Sequence, residues 1–343
     1  MTYSWPDSFP RIPDEDWVGQ RVGSLARGYD TVEAHGWYSN LDPTVETVAA
    51  WLPDGAVVVD YSGGTGILTE RLLRRLPDHP CGVVIADSSP KFLRLAVEKL
   101  RHDERVAFRR IQFLKAERRL QLLEEVLAPD DGSSSATRLP VDAIVSTNAI
   151  HLYYDLADTL ASWLRCLQSF HDAGPAGRAF VQSGNIRNPA APKDHWIIDE
   201  TVEHIHRAAV DLVGLDARYE RFRGHLDEAE HMAAHRNLRQ KFFLPVRPLE
   251  TYLSAFEDAG FEILETDCRP VTARVDEWYE FLAVYHEGVL GWAGGAEKVT
   301  GEAAPEEIVQ ARLDLMRHAM ERVFGGRESF EAAWTYWVAA PHS

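Results

Sequence analysis

Cysteine is scarce: Cys81, Cys166 and Cys268 are the only three in 343 residues, far apart and odd in number. That excludes a disulfide scaffold and a cysteine-built zinc site, and reads as reduced, buried thiols. Basic residues are also in deficit, 36 Lys and Arg against 53 Asp and Glu, for a formal charge of -17. Phosphate backbones are held by basic surfaces, so a nucleic-acid substrate is not expected. No run of 18 apolar residues occurs, and the opening Met-Thr-Tyr-Ser-Trp-Pro has no basic stretch leading into an apolar one. Neither a membrane span nor an export signal is therefore expected, and the chain reads as cytoplasmic. Internal repeats are lacking, and low complexity is confined to Asp130-Asp-Gly-Ser-Ser-Ser135, which reads as a solvated loop. What is present is 45% hydrophobic content, enough core for one large α/β domain with inserts or for two domains.

The most informative segment is Val57-Val-Val-Asp60-Tyr-Ser62-Gly63-Gly64-Thr-Gly66. Its β-branched run reads as a strand buried on both faces, and its glycines let the backbone turn sharply and approach a ligand. Asp60 then falls at the strand's carboxyl end, where open α/β sheets bind ligands. The dinucleotide fingerprint G-x-G-x-x-G fails here, because Thr69 stands at its third glycine. Asp60 to Gly66 instead closely resembles motif I of the class I S-adenosylmethionine (SAM) methyltransferases, with Ser62 where that family usually has glycine. A serine is tolerated there at little cost if its φ is negative.

The following segments extend the pattern. A helix from Ile67 to Leu76 leads to a second strand, Gly82 to Asp87, and Ser88-Ser89-Pro90 starts a helix from Lys91. The two oxygens of Asp87 suit a vicinal diol such as a ribose, with Ser88 beside it. Val106 to Leu114 reads as a third strand, Val141 to Thr147 as a fourth, and Arg178 to Ser183 as a fifth after the turn Asp172 to Gly177. A helix from Leu249 ends at Ala259-Gly260, a sixth strand runs from Phe261 to Thr266, and an aromatic-rich strand from Phe330 to Ala340 closes the chain. The resemblance implies a doubly wound, seven-stranded, mostly parallel sheet whose last strand lies antiparallel between its neighbours. It spans about two thirds of the chain. It also implies that Ala116 and Glu117 flank the adenine, in a Lys-Ala-Glu that replaces the usual Asp-Ala-Glu. Asn148 to Tyr154 resembles the segment lining the methyl-transfer site, so Asn148 is read as a cofactor contact and His151 and Tyr154 as substrate contacts.

Three pieces lie outside that core. Residues 1–43 read as a cap over the cofactor, where Tyr29 and Tyr38 would set electron-rich faces beside a sulfonium. Residues 44–184 form the cofactor-binding core, 185–247 a helical lid with His195 near the site, and 248–343 the rest of the core with an insert at about 275–326. In the insert, Trp278, Phe281, Leu282 and Tyr285 follow i, i+3, i+4, i+7 spacing, a buried helix face that could also wall a flat substrate. Tyr285, His286 and Trp292 are substrate candidates there, and Glu287, like His195 and His286, is a weaker candidate for a general base. The lid is locally basic, from Arg218 to Arg247, which fits solvated helix faces or an anionic substrate group. Metal is not expected: Glu228-x-x-His231-x-x-x-His235 does not follow the zincin order, and His204 and His206 are read the same way.

In this family methyl transfer is an in-line displacement, so a general base matters only for an acceptor with a high-pKa proton. His151 is the leading candidate. The expected function is a small-molecule methyltransferase using SAM and releasing S-adenosylhomocysteine, with O- or N-methylation of an aromatic or secondary metabolite preferred and a homodimer compatible. Alternatives are the same fold binding SAM without methyl transfer (decarboxylase- or hydroxylase-like), a regulatory partner subunit and, last, an NAD-dependent oxidoreductase.

Overall fold

The computed structural model describes residues 3–31, 35–128, 139–168 and 177–342. The loop expected at Asp130–Ser135 and most of the turn at 172–177 lie outside them. Seven strands build the main sheet: β1 Val57–Tyr61, β2 Gly82–Asp87, β3 Val106–Arg110, β4 Ala143–Thr147, β5 Arg178–Ser183, β6 Phe261–Arg274 and β7 Ser329–Pro341. Their order is β3-β2-β1-β4-β5-β7-β6. The pairs from β3 to β5 are parallel, and β7 runs antiparallel to both β5 and β6. This is the sheet the resemblance implies.

Alternation along the strands divides the core into two layers. Val58, Val83, Ile85 and Phe108 face helices α1 Ser24–Thr31, α2 Asp42–Trp51, α3 Ile67–Arg75 and α4 Pro90–Leu100. Val57, Val59, Val84 and Ile144 face α5 Leu156–Gln168 on the other side. The lid contributes α6 Glu200–Leu215 and α7 Ala229–Phe242; α8 Leu249–Asp258 packs beside α5; the last insert contributes α9 Val275–Val284 and α10 Glu306–Phe324. Among the described residues no helix is long and apolar enough to cross a membrane.

Two strand boundaries differ from expectation. β3 stops at Arg110, and Phe113–Leu114 instead pairs with Arg119–Leu120 in a small hairpin. β6 runs on to Arg274 through Pro270, because it is the sheet's edge strand and proline need not donate on its open side.

Candidate active site

A cavity of about 900 Å³ opens beyond the carboxyl ends of β1, β2 and β4, the position at which open α/β sheets bind ligands. Its first half is made by the glycine loop and the end of β2. Ser62 and Gly63 donate their backbone N–H groups to the Ala86 carbonyl at 2.7 and 3.2 Å, which folds the loop back over β2. Gly63 has no room for a side chain: a Cβ there would sit 2.7 Å from the Asp60 carboxyl carbon. Gly66 caps α3 at φ +80°, and a Cβ would come within 2.9 Å of Leu100. Asp87 accepts the Gly64 N–H on Oδ2 (2.9 Å) and the Ser89 N–H on Oδ1 (2.7 Å). Each oxygen keeps a free lone pair, and the side chain lines the cavity. Burial pushes its pKa up, with the two N–H groups acting in the opposite sense.

Ser62 has φ +62°, so the condition of negative φ is not met. Its side chain is engaged in compensation: the Tyr153 hydroxyl donates to Ser62 Oγ at 3.2 Å and sits 2.8 Å from Ser146 Oγ. Asp60 lies beneath the loop and takes the Thr69 hydroxyl on Oδ2 at 2.6 Å. Its Oδ1 is buried with no partner among the described residues, and desolvation lifts the carboxyl pKa to about 7 against the Thr69 hydrogen bond.

The second half lies over β4, β5 and β7. Asn148, at φ +54°, accepts the Trp334 indole N–H (2.9 Å) and donates to Asn40 Oδ1 (3.1 Å), which also accepts from Gln182 (3.0 Å). This network fastens the N-terminal segment to β5 and β7. Trp278 and Phe281 stack at 5.0 Å, with Trp37 edge-on to both at 5.9 and 5.4 Å; these three rings and Trp334 wall the cavity. Between them lies a polar corner. The Asp199 N–H donates to Asn185 Oδ1 at 2.9 Å, which turns the Asn185 amide nitrogen toward His151 Nε2 at 3.2 Å. The neutral ring therefore carries its proton on Nδ1, 3.1 Å from Ser183 Oγ. Burial, with Arg247 adding to it, lowers the His151 pKa to about 4. Burial raises that of Asp199 to about 7, against a hydrogen bond from the Asn185 side chain.

Of the residues singled out in the sequence, Tyr29, Tyr38, Ser62, Gly64, Asp87, Ser88, Asn148, His151, Tyr154 and Tyr285 line this cavity. Tyr154 stands at its mouth, 89% exposed. Asp60, Gly63 and Gly66 support the loop from below. Five others lie elsewhere. Ala116 and Glu117 are in the hairpin's turn, Glu117 paired with Arg119, because β3 ends early and Ile111 and Phe113 take the wall instead. His195 precedes the bridge from Trp196 to Ala332 and is not part of the wall. His286 faces Arg312 Nη1 at 2.9 Å, and Trp292 is buried with its indole N–H on His206 Nδ1 at 3.1 Å. The lid arginines do not reach the cavity; Arg239, for example, pairs with Glu203 at 3.1 Å.

Asn40, Asn185, Asp199, Trp334 and the wall residues Phe242 and Phe243 went unnoticed in the sequence. Only the polar interruption Ser183-Gly184-Asn185 after a buried strand is a local signal; Gly184 is there because a Cβ would strike the Trp334 ring at 2.7 Å. Away from the cavity, His225, Glu228 and His231 bring one possible ligand atom each within 4.8 Å of one another. His231 Nε2 there donates to the Trp292 carbonyl at 2.8 Å.

Residues 59–169 match the family model described as a methyltransferase domain. No curated protein matches the chain. Similar solved structures include the YcgJ protein from Bacillus subtilis, 13% identical over 89% of this chain and 99% of that one, TM-score 0.46. A second is a SAM-dependent methyltransferase from Geobacter sulfurreducens in complex with S-adenosylhomocysteine, 16% identical over 92% and 98%, TM-score 0.45. A third is phosphoethanolamine N-methyltransferase 2 from Haemonchus contortus in complex with SAM, 12% identical over 93% and 57%, TM-score 0.47.

Proposed function

We infer that this chain, a member of the class I SAM-dependent methyltransferases by its sheet order and its methyltransferase domain, methylates a small molecule held against the aromatic wall of the cavity. The observation that carries the reading is Asp87: its carboxylate is fixed by the N–H groups of Gly64 and Ser89 and faces the cavity beside a glycine loop with no room for a Cβ at Gly63. Those residues fit SAM. Asp87 would take the ribose hydroxyls, the loop from Ser62 to Gly64 would lie along the methionine half, and Tyr29, stacked on Phe92 at 5.1 Å and hydrogen-bonded to Tyr38, would close over it. Bound SAM supplies an activated methyl group on a good leaving group. What the protein adds is orientation and exclusion of water, which Trp37, Trp278, Phe281 and Trp334 provide on the acceptor side.

The acceptor is read as an aromatic or secondary metabolite methylated on O or N. Residues 1–43 act as the cap, 44–184 as the cofactor core, 185–247 as the lid, and 248–343 as the remainder of the core with its insert at about 275–326. The acidic surface supports a cytoplasmic enzyme that does not bind nucleic acid. His151 contributes as a neutral ring that holds Asn185, since its Nε2 lone pair is already engaged.

Calorimetric titration with SAM, S-adenosylhomocysteine and NAD tests the reading, on wild type and on Asp87→Ala. Micromolar binding of the first two and none of NAD is expected. Loss of two hydrogen bonds to a carboxylate, about 3 kcal/mol together, weakens binding in the variant by roughly a hundredfold. Binding of NAD alone, or of nothing, rejects it.

A further inference from the structure

We propose that Asp199 is the anchor and proton acceptor for a protonatable amine, so that the acceptor is an amine on an apolar or aromatic frame; this rests on the methyltransferase reading above. Asp199 lines the acceptor half of the cavity, and its place there is fixed by main chain. Ile198 N–H bonds the Gly184 carbonyl at 3.1 Å, and Trp196 is bridged to β7 on both sides. Asn185 holds the Asp199 backbone N–H, and the Asn185 side chain also reaches the carboxylate.

Two features choose the sign of the ligand. The lining cations, Arg118 and Arg119, belong to the hairpin after β3. β3 and β5 are four strand positions apart, roughly 19 Å at the usual spacing. Arg119 is moreover bonded to Glu125 at 2.7 Å. The other lining acids are occupied or peripheral: Asp87 belongs to the glycine loop, while Asp155 and Asp158 are exposed at the start of α5. A carboxylate in a cavity half walled by the rings of Trp37, Trp278 and Phe281 is the chemistry that recognises an ammonium. Its pKa, raised by burial to about 7, leaves it partly protonated at neutral pH, and an arriving cation favours the ionised form. In the reaction the bound ammonium first gives one N–H proton to the ionised Asp199 carboxylate, and the lone pair this frees forms the new N–C bond as the C–S bond breaks with its electrons staying on sulfur. The product leaves as the methylated ammonium, and the proton held on Asp199 passes to solvent.

An isosteric series separates charge from shape: tryptamine, tryptophol and indole-3-propionate are titrated calorimetrically into protein saturated with S-adenosylhomocysteine. Tryptamine is expected to bind wild type at least roughly tenfold more tightly than either of the others. In Asp199→Asn that preference vanishes while S-adenosylhomocysteine affinity is unchanged, and Asp199→Glu restores part of it. Equal or tighter binding of the propionate, an unaltered preference in Asp199→Asn, or binding of none of the three to cofactor-loaded wild type overturns the proposal. If Asp199→Asn does not fold, the wild-type series and Asp199→Glu decide it. Failure of S-adenosylhomocysteine to bind wild type counts instead against the methyltransferase reading, and the series on unliganded protein still tests Asp199.

Discussion

Ser62 in the glycine loop and Asp60 beneath it are each held at a cost in free energy, and each makes its own prediction. Ser62 sits in the left-handed region, a cost of about 1 kcal/mol for a side chain with a Cβ. The hydrogen bond from Tyr153 offsets it. Ser62→Ala keeps the strain and loses the bond, so it should lower stability by about 1 kcal/mol, whereas Ser62→Gly loses both and should stay near wild type. Urea unfolding of the pair checks this. Asp60 is the second case. Its carboxyl pKa is raised from 3.8 to about 7 by burial, so between those values the folded chain binds a proton that the unfolded chain does not. Stability therefore falls as pH rises through this window and stays reduced above it. Asp87 shifts in the same direction for the same reason. A shift of this size is on the order of a few kcal/mol. Asp60→Asn can still accept from Thr69, and its melting temperature should decline less from pH 5 to pH 8 than that of wild type. Parallel declines would show that the buried charge is not the cause.

At the scale of elements, the locally encoded features are legible in the sequence. The strand–loop–helix around Asp60, the strand ending in Asp87 and the cap at Ser89 are each written in a dozen consecutive residues, where pattern and turn chemistry agree. The end of β3 is not legible, because an apolar run from Val106 to Leu114 does not reveal where the chain leaves the sheet. The full length of β6 is hidden, because Pro270 reads as a breaker until its strand is known to be the edge. The polar corner was illegible for a different reason: His151, Asn185 and Asp199 belong to three separate segments, and only the sheet order brings them together. Helix α9 was legible as an apolar face, but that face has two jobs. The rings of Trp278 and Phe281 both line the cavity, but Trp278 is also buried in the core with its indole N–H on Thr201 at 3.0 Å, whereas Phe281 is only half-buried. Trp278→Ala should therefore cost about 3–5 kcal/mol of stability. Phe281→Ala should cost less and chiefly weaken tryptamine binding. Thermal melts alongside calorimetry separate the two, and equal loss of stability in both would refute the division.

Across the whole molecule, the pieces outside the cofactor core are joined to it by packing. One apolar cluster runs from Trp37 in the N-terminal segment through Val58 and Ile85 of the sheet to Ile205 and Val213 of α6, and on to Leu315 and Met316 of α10. Fully buried Arg312 ties α10 to the loop after α9, donating to the Ala293 carbonyl at 2.9 Å. A lid built this way has no private core whose loss would leave the sheet intact, so it should melt with the sheet although chains of this length often unfold in stages. Leu315→Ala removes a buried side chain that does not line the cavity and should cost about 2–5 kcal/mol. The prediction is that far-ultraviolet circular dichroism, which follows the helices and sheet, and tryptophan emission, to which the cavity residues Trp37, Trp278 and Trp334 contribute among ten tryptophans, shift to the same lower midpoint in this variant. A fluorescence transition that moves while the dichroism transition stays would mean that the lid opens as a separate unit, and that the aromatic wall is assembled only when a ligand draws it closed.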